Sequence, residues 1–257
     1  MNDPSLPPAD LLQEQAEWLA PARSRLLRRA HVARCCRVLD LGCGRGAVTA
    51  ELVRRGAGPV VALDRNLAAL GQLAGSRILA LPVQADAARL PFASGSFDLV
   101  FCQFTLMWVD APAAVSEIHR VLAADGQLIA MEPDYAGMIE YPAEIITRSL
   151  WLSGLKRAGA DGSIGRKLPG ILAAAGFGAV RVDLLDRLVE PSPARFELLA
   201  GLPLEPAEQE ARAMAQAADA RLAAAKASST CGSHVVHLPV FLVVAGKRPC
   251  GIDNSGA

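Results

Sequence analysis

The stretch Val38-Leu39-Asp40-Leu41-Gly42-Cys43-Gly44-Arg45-Gly46 places three glycines two residues apart directly behind a short apolar run. Residues 37–41 read as a strand and residues 47–55 resume helical spacing, so the glycines occupy a tight strand-to-helix turn. Without side chains there, backbone N–H groups and a helix N-terminus can approach a ligand closely. Sites that hold a pyrophosphate use the spacing G-x-G-x-x-G, whereas here the third glycine comes one residue early and Asp40 stands in the strand just ahead. A carboxylate beside the turn suits a cation better than a diphosphate.

Outward from this turn, strands and helices alternate. Residues 60–63 form an apolar run closed by Asp64, followed by a helix at 67–73, a third strand at 78–83 and a fourth at 97–102. A helix over 111–122 carries Val115, Ile118 and Leu122 on one face, and residues 126–131 make a fifth strand. Strands separated by helices of about ten residues imply right-handed crossovers and a largely parallel sheet covered on both faces, a doubly wound α/β fold. Upstream, residues 9–30 form two helical pieces broken near Pro21. Downstream the rhythm loosens: a helix contains Trp151, another spans 168–175, a strand spans 180–185, an Ala-rich helical stretch spans about 206–226, and a last apolar run occupies 240–244. Residues 1–257 are read as one domain, with N-terminal helices at 1–30, a ligand-binding core at 37–132, and substrate-side segments at 133–160 and 187–236.

Twenty-six basic and 26 acidic residues cancel, so no global field draws the chain to nucleic acid or an anionic membrane. No signal peptide or apolar run of membrane-spanning length is evident, and the cytoplasm is the expected compartment. Six cysteines occur without the spacing of a zinc site, and no metal is expected. Cys35, Cys36, Cys43 and Cys102 sit among apolar or glycine-rich neighbours and read as buried, reduced thiols; Cys231 and Cys250 read as exposed.

The glycine turn resembles the first motif of the class I S-adenosylmethionine-dependent methyltransferases. Asp64, in Val61-Ala62-Leu63-Asp64-Arg65-Asn66, is placed like that family's ribose-binding acid, and Asp86, in residues 84–92, like the acid that receives the adenine amino group. Residues 96–103 and 124–130 resemble its fourth and fifth strands, so four elements follow the family's order over about residues 37–133. The resemblance implies a seven-stranded, mostly parallel Rossmann-like sheet whose last strand is antiparallel and lies between the fifth and sixth, with a helical insertion before it. It implies S-adenosyl-L-methionine as cofactor, held by Asp40, Gly42, Gly44, Gly46, Asp64, Arg65, Asp86, Ala87 and Gln103. Asp40 would meet the ammonium group, directly or through water, and Asp64 the ribose hydroxyls. The sequence departs from the pattern at Ala85, where a glycine often precedes the adenine-binding acid, and at Trp108, where related small-molecule methyltransferases often carry histidine.

The expected activity is methyl transfer to an O, N, S or C atom of a small-molecule acceptor. The alternatives are a non-catalytic partner subunit that keeps the cofactor fold and, against the glycine spacing, a nicotinamide-dependent oxidoreductase. Ligands of open parallel sheets lie beyond the carboxyl ends of the strands. On that basis Trp108, Tyr135, Tyr141 and Trp151 are the candidate acceptor contacts. His234 and His237, read as the start of the final strand, and Tyr135 are the candidates for accepting a proton. His31, His119 and Asp98 read as structural. The connection from Leu185 to His237 is long for a turn between neighbouring strands, and its helix formers at 207–226 are expected to form an arm closing over the pocket.

Overall fold

A computed structural model describes residues 6–185, 194–226 and 234–247. Helix α1 (Ala9–Arg29) leads through a 3-10 turn into β1 (Val38–Leu41), α2 (Thr49–Arg55), β2 (Val60–Asp64), α3 (Leu67–Ala74), β3 (Ala80–Gln84) and β4 (Phe97–Gln103). Then come α4 (Ala111–Val121), β5 (Leu122–Pro133), β6 (Ile139–Tyr141), α5 (Arg148–Arg157), α6 (Ile164–Ala174) and β7 (Phe177–Leu184). The last elements are α7 (Ala194–Ala200), α8 (Pro206–Lys226), β8 (Val235–His237) and β9 (Val240–Lys247).

Seven strands form one sheet in the order β3-β2-β1-β4-β5-β9-β7. The pairs from β3 through β5 are parallel, and β9 runs antiparallel between β5 and β7. This is the doubly wound sheet with an inserted antiparallel last strand that the resemblance implies. Its parallel strands are apolar on both faces: β1 is buried along its whole length, because helices cover the sheet front and back. One face packs Val115, Ile118, Leu168 and Leu172 of α4 and α6 against Val100, Leu128 and Val243. The other packs Leu19, Leu26 and Leu27 of α1 and Leu52 of α2 against Leu99, Phe101 and Ile129.

Several boundaries differ from the sequence reading. Helix α1 runs unbroken through Pro21. The proline removes one backbone hydrogen bond, while the buried stripe of Leu19, Leu26 and Leu27 on either side holds the helix together. His234 and His237 do not begin the final strand. Residues 235–237 form β8, which pairs with β6 in a separate two-stranded sheet, and β9 starts at Val240, after Pro239. A proline has no N–H to donate to a ladder, so Pro239 separates the two strands. Cys43 and Cys102 are buried, but Cys35 is only half-buried and Cys36 is exposed, a correction to their reading as core thiols. Both sit where the chain passes from the 3-10 turn to β1 at the sheet's rim. Cys231 and Cys250 lie outside the described residues.

Candidate active site

A cavity of about 340 Å³ opens at the carboxyl ends of β1 to β4, within the range of about 300–1,000 Å³ typical of small-molecule sites. The glycine turn forms its floor. Gly42, Gly44 and Gly46 all have positive φ, which disfavours any residue with a Cβ. A Cβ on Gly42 would collide with the side chain of Thr105, and one on Gly46 with Leu73, whereas the Cβ direction of Gly44 is open. Gly44 is thus the point where backbone faces the cavity without obstruction.

Three carboxylates surround this turn. Asp64, ending β2, accepts hydrogen bonds from the Gly44 N–H at 2.8 Å and the Asn66 N–H at 2.9 Å. Asp40 is buried in β1 and accepts from the Thr49 hydroxyl at 2.6 Å. Burial pushes the Asp40 carboxyl up to about 6, an effect reduced by the Thr49 hydroxyl and by Arg23 and increased by Asp64. Asp86 turns the chain after β3 by accepting from the Ala88 N–H at 2.8 Å. Asp40, Gly42, Gly44, Asp64, Arg65, Asp86, Ala87 and Gln103 all line the cavity, and Gly46 stands behind the turn without lining it. Gln103 is held by Arg23, whose guanidinium donates to the Gln103 Oε1 at 3.0 Å and to Glu51 at 2.7 Å.

Of the candidate acceptor contacts, Trp108, Tyr135 and Trp151 line the cavity. Tyr135 and Trp151 stack with ring centroids 4.7 Å apart and planes 27° from parallel. Tyr141 does not join them. It is 67% exposed, on β6 of the small sheet. His234 and His237 are absent from the cavity lining because they belong to the β8 side of that same sheet. His234 lies 3.5 Å from Asp219. Tyr135 does reach the cavity, but burial raises its hydroxyl far from the range of a neutral-pH base. Of the residues read as structural, His119 packs edge-on against Phe177, and Asp98 accepts from the N–H groups of Cys36 and Arg37 while pairing with the Arg37 guanidinium.

Some of the cavity wall comes from segments that the sequence did not mark. Leu6, Pro7 and Pro8 and the first turns of α1 contribute Leu11, Leu12 and Gln15. Arg45, in the glycine turn, donates to the Pro7 carbonyl at 2.7 Å and ties this segment down. The expected arm over the pocket is a different helix. Glu197, Leu198, Gly201 and Leu202, from α7 and the turn after it, line the cavity, whereas the long α8 packs on α7 and on the 3-10 turn Ala143–Ile145. A buried ion cluster explains the placement: Arg195 of α7 meets Asp219 of α8 at 2.8 Å and Glu140 of β6 at 3.5 Å.

Glu132, fully buried in β5, is a further residue that the sequence did not single out. Its Oε1 accepts from the N–H groups of Thr105 at 3.0 Å and Leu106 at 2.9 Å, fixing the loop that delivers Met107 and Trp108 to the cavity. Burial drives its carboxyl up to about 7 against those backbone hydrogen bonds, and its Oε2 has no partner. The only hint in sequence was an acid at the end of an apolar strand.

Residues 39–130 match the methyltransferase-domain family. Over that stretch the chain is similar to the class I S-adenosylmethionine-dependent methyltransferases. Its relatives include the human protein named arginine-hydroxylase NDUFAF5, mitochondrial, 33% identical over 171 residues that cover 64% of this chain and 48% of that one. The chain thus spans about half the length of the curated relatives it matches. Among solved structures, a putative methyltransferase from Bacillus halodurans superposes with a TM-score of 0.61 at 18% identity, covering 88% of this chain and 98% of that one. The geranyl diphosphate C-methyltransferase of Streptomyces coelicolor, solved with Mg2+, geranyl-S-thiolodiphosphate and S-adenosyl-L-homocysteine, superposes at 0.57 with 17% identity, covering 96% and 83%. These likenesses establish the fold. Among the described residues, no helix is long and apolar enough to cross a membrane.

Proposed function

We propose that the protein transfers a methyl group from S-adenosyl-L-methionine to a small-molecule acceptor in the cytoplasm, without nucleic acid or membrane as a partner. The observation that carries this reading is the convergence of Asp40, Asp64 and Asp86 with the open face of Gly44 on one cavity. A cationic amino-acid end suits the buried carboxylate of Asp40, ribose hydroxyls can donate to Asp64, and an exocyclic amine can donate to Asp86. Residues of α1 and α7 line the cavity, which suits a site that holds a free molecule rather than a surface.

Held by Asp40, Asp64 and Asp86, the sulfonium would supply a methyl group already activated for transfer, its carbon–sulfur electron pair staying on sulfur as an electron pair of the acceptor takes the methyl carbon and the acceptor's proton passes to water. The sulfonium is already activated, so the protein's part is to align donor and acceptor and keep water off the reacting atoms. Among the described residues, no histidine or lysine lines the cavity, which fits catalysis by alignment.

The test is formation of S-adenosylhomocysteine when the protein and S-adenosylmethionine are mixed with fractions of a cell extract. Turnover is expected with the low-mass fraction. Turnover with the protein fraction alone would move the acceptor to a macromolecule.

A further inference from the structure

Six arginines and His31 fall between Glu17 and Asp40 with no acidic residue among them, in a chain of zero net charge. The fold sends several of these arginines to carboxylates: Arg23 to Glu51 at 2.7 Å, Arg29 to Asp183 at 3.3 Å and Arg37 to Asp98 at 2.6 Å. Arg28 and Arg34 go elsewhere. With His31 and with Arg55 of α2 they surround a second cavity of about 330 Å³, lined also by Leu27, Val32 and Ala33. It shares no residue with the cofactor cavity. Helix α2 starts just after the glycine turn and ends at Arg55, so the two cavities lie at opposite ends of that helix.

The cations of this second cavity come from three elements. Arg28 stands in the last turn of α1, His31, in the left-handed region at φ 52, ends that helix, and Arg34 closes the 3-10 turn Val32–Arg34 that follows. Arg55 is held in place: its Nε donates to Glu51 at 2.8 Å and its Nη2 to the Ser24 hydroxyl at 2.9 Å. Arg28, His31 and Arg34 are exposed, so a solute reaches them directly. A cation in the last turn of a helix offsets the helix dipole, and Arg28 and Arg55 both stand there. Arg34 and His31 lie beyond the end of α1, and that role does not explain them. Guanidinium groups converging on one hollow raise its potential, and their paired N–H donors match the oxygens of a phosphate group. We propose that this cavity is an anion site, separate from the cofactor cavity, that takes the phosphate groups of a small molecule. A diphosphate fits its three guanidinium groups more closely in charge than a monophosphate does.

Titration calorimetry of the full chain with inorganic pyrophosphate at low ionic strength tests the site. One-to-one binding with a Kd below about 1 mM is expected. Arg34→Gln and Arg28→Gln should each weaken it by about tenfold, as for loss of one hydrogen bond to a charged group. Arg54→Gln removes the same charge from the neighbouring position on α2, which does not line the cavity, and should change the Kd by less than about twofold. Uridine diphosphate distinguishes the source: binding at least as tight as that of pyrophosphate assigns a diphosphate carried on an organic molecule, and weaker binding a free one. No heat with either diphosphate overturns the proposal. So does an Arg54→Gln protein weakened as much as Arg34→Gln, which would make the effect one of diffuse surface charge, and so does a single-stranded oligonucleotide that binds more tightly than both diphosphates.

Discussion

Asp64 joins the glycine turn to β2 through both of its oxygens, one on the Gly44 N–H and one on the Asn66 N–H. Removing it should weaken binding of S-adenosylhomocysteine by about 1.5–3 kcal/mol, the value of a hydrogen bond to a charged group. Titration of folded Asp64→Ala checks this, and an unchanged dissociation constant would place the ribose elsewhere. Asp40 gives a pH signature. With its carboxyl near 6, it is ionised at neutral pH and protonates below, so affinity for the cationic cofactor should fall as pH drops from about 7 to 5. Calorimetry across that range, with proton release on binding read from two buffers, checks the effect. Glu132 affects stability instead. Its folded-state value of about 7 lies above its ordinary 4.5, so the folded state holds the proton more tightly than the unfolded chain. The stabilising contribution is therefore full below about 4.5 and lost as pH rises through 7. Glu132→Gln, which keeps an oxygen for the Thr105 and Leu106 N–H groups, should gain on the wild type by an order of 3 kcal/mol between pH 4.5 and 7.5, read from urea melts. At this scale the three aspartates were legible because each sits in or beside a local turn whose chemistry is written in consecutive residues. Arg23 and Glu132 were not, because their partners Gln103, Thr105 and Leu106 lie 26 to 80 positions away.

At the scale of elements, the helix that walls the cavity depends on an ion cluster remote from it. Arg195, Asp219 and Glu140 are each about nine-tenths buried. Asp219→Ala would leave the Arg195 guanidinium facing Glu140 alone, and stability should drop by about 3 kcal/mol, measured by chemical denaturation. Acceptor turnover should suffer before cofactor binding does, since Leu198 and Leu202 of the α7 segment line the part of the cavity proposed for the acceptor. Removing residues 1–8 is expected to do the reverse: it takes Leu6, Pro7 and Pro8 from the cavity and frees Arg45, so affinity for S-adenosylhomocysteine should fall severalfold while the melting temperature changes little. Helical spacing and proline positions indicated that an insertion would precede β9. They did not indicate which of its helices would reach the cavity, because α8 has the stronger helix-forming composition while the anchor of α7 is a single arginine. Likewise β6 and β8 are three residues each, too short for a periodic pattern, and Tyr141, His234 and His237 were misplaced with them.

For the whole molecule, sheet order and strand direction followed from the alternation of apolar runs and helices together with the family resemblance. Parallel strands buried on both faces leave a sequence signal strong enough to read. The central claim is that the carboxyl edge of this sheet binds an adenosyl amino acid and not a dinucleotide. Calorimetric titration of the full chain with S-adenosylhomocysteine, and separately with NAD, tests it most directly. The account predicts one-to-one binding of S-adenosylhomocysteine that Asp64→Ala weakens, and no heat with NAD; binding of NAD with no heat from S-adenosylhomocysteine would contradict it.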